Sequence, residues 1–252
     1  MPAVLEIRWQ FTPERMFEEP LSCEFRECPI AVDQGTVVAN IPILDGQTKS
    51  ELRDAVEAYV NLLFLGVQLV DHLEYQLSAP SLSVRQEDGS RGYIIECKTG
   101  TFEVRGGRAD LRYTNCDGAV VDTRQDRIER KLRLSMAAAR YGPKDVALAR
   151  MLRSYRTATV DTSDELIHLY EVLDTLKSTF KNRIDALKQL GASGHTWSRL
   201  SKICNVLPLL QGRHRGNVGE ALRNASEEEL AEARGLAVGF IEAYINYLDR
   251  KQ

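Results

Sequence analysis

The chain has 252 residues, of which 43% are hydrophobic and 27% charged, and its formal net charge at pH 7 is −3. This composition is that of an ordinary globular protein with one large or two modest domains. The slightly negative net charge excludes a protein that binds polyanions over its whole surface, but it leaves local basic patches open.

Three sequence features predict a cytoplasmic protein. The opening residues 1–11 alternate like a β-strand and lack the pattern of a secretory signal. The longest apolar run, residues 59–70, is too short to span a bilayer. The five cysteines form no C-x-x-C pair, which favours reduced thiols over disulfides or a zinc site. We therefore expect no membrane association, and we expect no metal and no cofactor.

Residues 1–124 are predicted to form a β-rich module with one helix. Apolar residues alternate with polar ones from Leu5 to Phe11, as in a half-buried strand. A capping box, Thr48 with Glu51, predicts the start of the helix. Antiparallel strands are then expected around turn signals. These signals are Asp88-Gly89, Lys98-Thr99-Gly100, Gly106-Gly107 and Asp117-Gly118.

Residues 125–252 are predicted to form an all-helical bundle, so the fold class is α+β. Gly142-Pro143 ends the first helix, and Pro143 is expected in the first turn of the next. Helical spacing then continues, and Gly191 is expected to end a short helix. Two further capping boxes predict helix starts, Thr162 with Glu165 and Ser226 with Glu229.

The helical half is unevenly charged. Between residues 124 and 156 there are ten Arg or Lys against three acids, and between 177 and 202 six against one. Such basic faces can neutralise phosphates, but they can also be solvated surface or pair with the acidic last helix. Residues 187–203 also fit a helix-turn-helix, although two bundle helices joined by a glycine give the same pattern. The candidate nucleic-acid contacts in this region are His195, Arg199 and Lys202.

The most unusual segment is Gly-Arg-His-Arg-Gly, residues 212–216. Glycines allow close approach of the backbone to a ligand, and arginine binds phosphate with two hydrogen bonds. Arg213 and Arg215 are therefore candidate phosphate contacts, and His214 is a candidate proton shuttle in phosphodiester cleavage. The alternative is a surface loop in which the glycines only make turns.

Residues 143–250 resemble the HEPN superfamily of helical domains, on the run ALARMLRSYRTATVDTSDELIHLYEVLDTL and the later Arg/His motif. The resemblance is closest to the ApeA-like branch, in which a β-rich region precedes the bundle, and it extends to uncharacterised bacterial proteins with a Gly-Arg-His-Arg-Gly element. It implies a homodimer and metal-independent RNA cleavage, in bacterial defence or stress response. The implied catalytic residues are His214, Arg213 and Asp174. The family's arginine four to six residues before the histidine is missing, because apart from Arg213 the nearest is Arg199.

Two other classes of function remain open at this point. The first is a non-catalytic module that dimerises through the bundle and binds a protein partner through the β-rich half. The second is a DNA-binding regulator that uses the helix-turn-helix.

Overall fold

The computed structural model describes residues 3–26, 28–43, 48–85, 91–94, 112–114, 120–213 and 221–251, with only the backbone given for 91–94, 112–114 and 120–121. The chain divides into two compact units. Unit 1 comprises residues 1–67 and 75–133, and unit 2 comprises residues 68–74 and 134–252.

Unit 1 is built on an antiparallel sheet. Its strands are β1 (Val4–Thr12), β2 (Leu21–Phe25), β3 (Cys28–Asp33), β4 (Thr36–Pro42), β5 (Gln76–Leu77), β6 (Ser81–Arg85), β7 (Arg91–Ile94), β8 (Arg112–Thr114) and β9 (Val120–Asp122). The main sheet has the order β2-β3-β4-β1-β6-β7, β5 pairs with the end of β1, and β8 and β9 pair separately. The four turn signals between Asp88 and Gly118 lie outside the described residues.

Two long helices begin in unit 1. These are α1 (Lys49–Asp71) and α2 (Thr123–Tyr141), and the division between the units falls inside each of them. The change from strands to helices along the chain therefore occurs between Asp122 and Thr123. The capping box before α1 is confirmed, since the Glu51 backbone N–H donates to Thr48 Oγ1 and the Thr48 N–H donates to the Glu51 carboxylate.

Alternation along β1 produces the core of unit 1. Leu5, Ile7, Trp9 and Phe11 are at most 2% exposed, which confirms the predicted half-buried strand. The apolar face of α1 covers this side of the sheet, where Phe64 makes an edge-to-face contact with Phe11 at 5.0 Å between ring centroids. Aromatic pairs of this geometry add to the burial of their apolar area.

A tight turn at Gln34-Gly35 joins β3 to β4. Both residues have positive φ, 41° and 77°, as the two-residue hairpin turn requires. A Cβ on Gly35 would lie 2.8 Å from Glu14 Cγ, so this position needs glycine for space as well as for conformation.

Unit 2 is a helical bundle, which confirms the predicted α+β class. Beyond α2 its helices are α3 (Val146–Val160), α4 (Glu165–Thr179), α5 (Arg183–Leu190), α6 (Gly194–Asn205) and α7 (Glu227–Asp249). Helix α4 is central to the packing, because it contacts α3, α5, α6 and α7. Its buried stripe contains Leu166, Leu169, Val172, Leu173 and Leu176.

The helix boundaries agree with the sequence at three ends. Gly191 ends α5 in the left-handed conformation, with φ of 64°, and the Ala192 N–H donates to Leu187 O as in a Schellman cap. The Ser226–Glu229 capping box at α7 is present with both of its hydrogen bonds. Helix α6 covers the short helix that was expected around Trp197.

Two predicted helix starts are wrong. Helix α4 begins at Glu165 after Asp164, and the Glu165 side chain is buried instead of capping at Thr162. Pro143 lies before α3 and not in its first turn, because Asp145 caps that helix by accepting the Leu148 N–H. In both cases an aspartate closer to the helix takes the N-cap position.

Candidate functional site

The loop that follows α6 fixes the backbone of Arg213. The Arg213 N–H donates to Cys204 O, and the Gly212 N–H donates to Leu209 O, both at 3.0 Å. A Cβ on Gly212 would lie 3.3 Å from each of these two carbonyl oxygens, so a larger residue would push the loop away from α6. The first glycine of the Gly-Arg-His-Arg-Gly segment therefore has a structural role in setting the direction in which Arg213 leaves the loop.

The Arg213 side chain lies on α4. Its Nη1 is 2.9 Å from Asp174 Oδ2, and its guanidinium carbon is 4.7 Å from the centroid of the Tyr170 ring. The Arg213 and Asp174 side chains remain 41% and 50% exposed. Two of the three predicted catalytic residues are thus in direct contact, as an ion pair at the surface. The third, His214, lies outside the described residues, as does Arg215.

Sequence reasoning missed Tyr170. A usable signal was present, since Tyr170 precedes Asp174 by four residues and side chains four apart share a face of a helix. The ring holds the guanidinium by a cation–π contact while the carboxylate orients it. Arg213 is therefore held by two side chains of α4 and by its own backbone, yet its guanidinium still faces solvent.

Helix α6 carries the other predicted nucleic-acid contacts. His195 and Lys202 are exposed, as the prediction requires. Arg199 instead forms two hydrogen bonds with the Glu232 carboxylate of α7, at 2.6 and 2.5 Å. Helices α5 and α6 with the turn at Gly191 reproduce the two-helix pattern, so the DNA-binding interpretation of this segment stays a prediction.

The acidic first turns of α7 are paired inside unit 2. Glu229 binds Arg223 at 2.7 Å, Glu232 binds Arg199 at 2.5 Å, and Glu227 lies 3.6 Å from Arg234. These carboxylates are therefore already matched by cations of the same chain.

A second polar cluster lies in the interior of unit 2. Glu165, which is 1% exposed, accepts two hydrogen bonds from Arg234, with Nε at 2.5 Å and Nη2 at 2.8 Å. His72 Nε2 lies 3.3 Å from the same carboxylate. The His72 ring also packs edge-to-face on Tyr155, with centroids 5.2 Å apart. We call Glu165, Arg234 and His72 the buried ionic cluster.

The surroundings of this cluster shift the pKa of two groups. Burial alone would raise the pKa of Glu165, but the hydrogen bonds from Arg234 and His72 outweigh it, so this pKa lies below its ordinary value. Burial raises the pKa of the Cys204 thiol well above its ordinary value, and the nearby Glu165 charge adds to the effect. Cys204 is fully buried and stays a neutral thiol at physiological pH, which excludes it as a nucleophile.

Sequence reasoning did not identify this cluster, because its three members lie far apart along the chain. The spacing of Glu165 from Thr162 predicted a helix cap instead. One signal was available: Arg234 is the single cation within the first fourteen residues of α7, among acids and apolar residues. A lone arginine on a helix that packs into a bundle indicates a carboxylate partner.

The described part of the chain offers neither a cluster of metal-ligating side chains nor a helix that could span a membrane. It contains no group of three or more His, Cys, Asp or Glu side chains placed to hold a metal ion. None of the helices described combines the length and apolar composition that a membrane span requires.

Comparisons with protein-family models, curated proteins and solved structures found no match for this chain. The resemblance to HEPN domains therefore stays a prediction.

Proposed function

We propose that unit 2 binds RNA and that Arg213 is its central phosphate contact. The observation that carries this proposal is the way Arg213 is held, with a fixed backbone, a tyrosine under its guanidinium and 41% of its side chain exposed. Two residues further along the chain, Arg215 adds a second positive charge. An arginine that is oriented but still accessible can bind phosphate with little loss of side-chain freedom.

The ion pair with Asp174 is weak enough to be exchanged for a phosphate. Exposed pairs of this kind contribute only about 0.2–1 kcal/mol, because water screens them, so little free energy is lost when the guanidinium leaves Asp174. We therefore expect the guanidinium to turn from Asp174 to a phosphate oxygen while it stays on Tyr170. Asp174 then acts against binding, because its negative charge stays next to the phosphate.

The test is a binding titration of a fluorescent RNA oligonucleotide with the full chain. We expect Arg213→Ala to weaken binding. It should also reduce the salt slope, which is the slope of the logarithm of the binding constant against the logarithm of salt concentration, by about 0.7, the value for one phosphate contact on a single strand. Asp174→Asn should strengthen binding. Unchanged affinity of Arg213→Ala, or weaker binding by Asp174→Asn, would contradict the exchange.

A matched control is available in unit 1. Arg124 pairs with Glu19 at 2.8 Å, and these side chains are 47% and 48% exposed, close to the values for Arg213 and Asp174. Arg124→Ala removes the same charge from a similar pair, so it should leave RNA affinity nearly unchanged. An equal loss in both variants would indicate a non-specific effect of net charge.

RNA cleavage is a separate question from binding. The HEPN resemblance implies that His214 is the acid–base group, so we propose metal-independent cleavage as an extension of RNA binding. Incubation of RNA with the protein in EDTA tests it, with His214→Ala as the inactive variant. Loss of an acid–base group reduces a rate about 100- to 10,000-fold. Intact RNA after incubation with the wild-type protein would restrict the function to binding. A cytoplasmic role in bacterial defence or stress response also stays a proposal.

A second candidate function is binding of an extended protein segment at strand β2. This strand is at one edge of the described sheet, with β3 on its only paired side. Edge strands bind partner strands through free backbone groups. Pro29 lies opposite Glu24 and has no N–H, so the backbone groups of Ser22 and Glu24 point away from β3. The Glu24 carbonyl accepts a hydrogen bond from the Tyr59 hydroxyl at 3.2 Å, so the groups offered to a partner are those of Ser22 and the Glu24 N–H. Ser22→Pro should then abolish capture of a strand-forming partner while the sheet stays folded.

The homodimer also stays a proposal. Light scattering at several concentrations should report about twice 28.4 kDa if two copies associate. A mass of 28.4 kDa at every concentration would contradict it.

A further inference from the structure

The C-terminal ends of α4 and α7 in unit 2 carry an aromatic group and exposed lysines. Phe180 and Tyr247 make an edge-to-face contact with ring centroids 5.1 Å apart, and both are half-buried. The fully buried Tyr244 packs against both rings, with its ring centroid 6.0 Å from that of Phe180 and 5.7 Å from that of Tyr247. Two partly accessible rings are thus fixed in place by the core of the bundle.

Three exposed lysines lie near these rings, one in space and two along the chain. Lys251 lies over Tyr247, with Nζ 4.5 Å from the ring centroid, and Lys177 and Lys181 flank Phe180 in the sequence. In the described part of the chain, none of the three forms an ion pair with a carboxylate. Helix C-termini contribute roughly half a negative charge each, so three lysines exceed the combined charge of the two helix ends.

Two carboxylates near this end accept hydrogen bonds from tyrosine hydroxyls. Asp249 accepts a hydrogen bond from Tyr141 at 2.5 Å, and Asp145 accepts one from Tyr244 at 3.2 Å. The three lysines outnumber these two carboxylates, so the surface combines positive charge with accessible aromatic rings. This combination is typical of sites for single-stranded nucleic acid, where phosphates meet cations and bases stack on rings.

The same helix connects this end to the Arg213 site. Tyr170, Asp174 and Lys177 are spaced by four and three residues, so they lie on one face of α4. The ten residues from Tyr170 to Phe180 span roughly 15 Å of helix, compared with about 3.4 Å per nucleotide along a stacked strand. A strand bound at Arg213 can therefore reach the aromatic group within a few nucleotides.

We propose that a single strand of RNA follows this face of α4, from Arg213 to Phe180 and Tyr247, where an unpaired base stacks. Lys177, Lys181 and Lys251 contact its phosphates, and the base replaces Lys251 on the Tyr247 ring. This inference rests on the proposed function, since it names the RNA form that the Arg213 site binds. A duplex keeps its bases stacked inside, so it has none to offer to the rings.

The experiment measures binding of the full chain to a single-stranded oligoadenylate and to an RNA duplex of equal length. We expect tighter binding of the single strand. Tyr247→Leu keeps the apolar packing but removes the stacking face, so single-strand binding should weaken about 5- to 100-fold with an unchanged salt slope. Tyr247→Phe keeps the ring and should bind like the wild type.

The lysines are tested through salt dependence. Lys177→Ala combined with Lys181→Ala should lower the salt slope by about 1.4, because each lysine contributes about 0.7. Lys49→Ala and Phe25→Leu are the controls, since they change an exposed lysine and a half-buried ring of unit 1. Both should bind like the wild type, and thermal melts should show that every variant is folded.

The outcomes separate this inference from the proposed function. If Tyr247→Leu binds the single strand with full affinity, or if the wild type binds the duplex as tightly as the single strand, the proposed path of a single strand along α4 is overturned. This holds even if Arg213→Ala binds weakly. Weak binding by Tyr247→Leu with full affinity of Arg213→Ala would support the aromatic site and overturn the Arg213 contact. If polyglutamate displaces the labelled RNA as well as unlabelled RNA does, and Tyr247→Leu does not change this, the ligand is an acidic protein and the inference is overturned.

Discussion

The ion pair between Glu165 and Arg234 allows a quantitative test of what holds unit 2 together. Arg234→Ala removes both hydrogen bonds to a carboxylate that is 1% exposed. Removing one partner of a buried ion pair costs about 3–5 kcal/mol, because the other charge stays buried. The Arg234 side chain is 25% exposed, and His72 remains near the carboxylate. We therefore expect a loss at the low end of this range, about 3 kcal/mol in the free energy of unfolding.

The assay is urea denaturation of the full chain, followed by helical circular dichroism. Arg199→Ala is a matched control, because Arg199 also makes two hydrogen bonds to a glutamate of α7, but both side chains of that pair are exposed, at 37% and 38%. We expect its loss to be several-fold smaller, since water screens an exposed pair. The contrast between the two variants isolates the effect of burial.

An apolar replacement tests the same reasoning from the opposite direction. Glu165→Leu combined with Arg234→Met removes both charges and keeps much of the side-chain volume. Buried ion pairs replaced in this way lose little stability or gain some, so the double variant should be more stable than Arg234→Ala. A loss below about 1 kcal/mol for Arg234→Ala, or a double variant less stable than this single one, would refute the assignment of a costly buried charge.

The pH dependence follows from the lowered pKa of Glu165. A carboxylate with a lower pKa in the folded state stabilises the protein above its unfolded pKa, near the ordinary value of 4.5. This contribution is lost as pH falls below that value and through the folded pKa. The difference between the wild type and Arg234→Ala should therefore be largest near neutral pH and shrink in acid. A constant difference at all pH values would contradict the cause given for the shift.

Three further predictions concern stability, each measured by denaturant or thermal melts. Glu18 has a pKa of about 2, chiefly because Arg127 hydrogen-bonds its carboxylate, and it also binds Lys131, whose side chain is 4% exposed. Glu18→Gln should therefore cost about 3 kcal/mol at pH 7, and the deficit should shrink between pH 4.5 and about 2. Gly35→Ala should destabilise the protein by more than about 1 kcal/mol, because Gly35 has a positive φ and a Cβ there would contact Glu14. Gly235→Ala in α7 should stabilise it by about 0.5–1 kcal/mol, because a Cβ there meets nothing within 4 Å. Ser226→Ala should cost about 1 kcal/mol because it removes the α7 capping box, and an unchanged melt would contradict this.

The sequence by itself determined the local features of this protein. The alternation from Leu5 to Phe11 requires one buried face of a strand, whatever covers it. Thr48, Gly191 and Ser226 set helix ends because a cap depends on residues within four positions along the chain. The change to helical spacing after residue 124 likewise predicted the α+β class, and in the structure α2 begins at Thr123.

Only the tertiary structure decided which charged residues are partners. Thr162 and Glu165 have the spacing of a capping box, yet Glu165 binds Arg234, which is 69 positions away. Arg199 has the sequence context of a recognition-helix residue, but it is bound to Glu232 on another helix. Ion pairs depend on which helix faces meet, and residue spacing along one helix carries no information about that. The same reason explains why Arg213 could be proposed from the sequence, while the Tyr170 ring and the Asp174 carboxylate that hold it could be established only from the packing of its loop on α4.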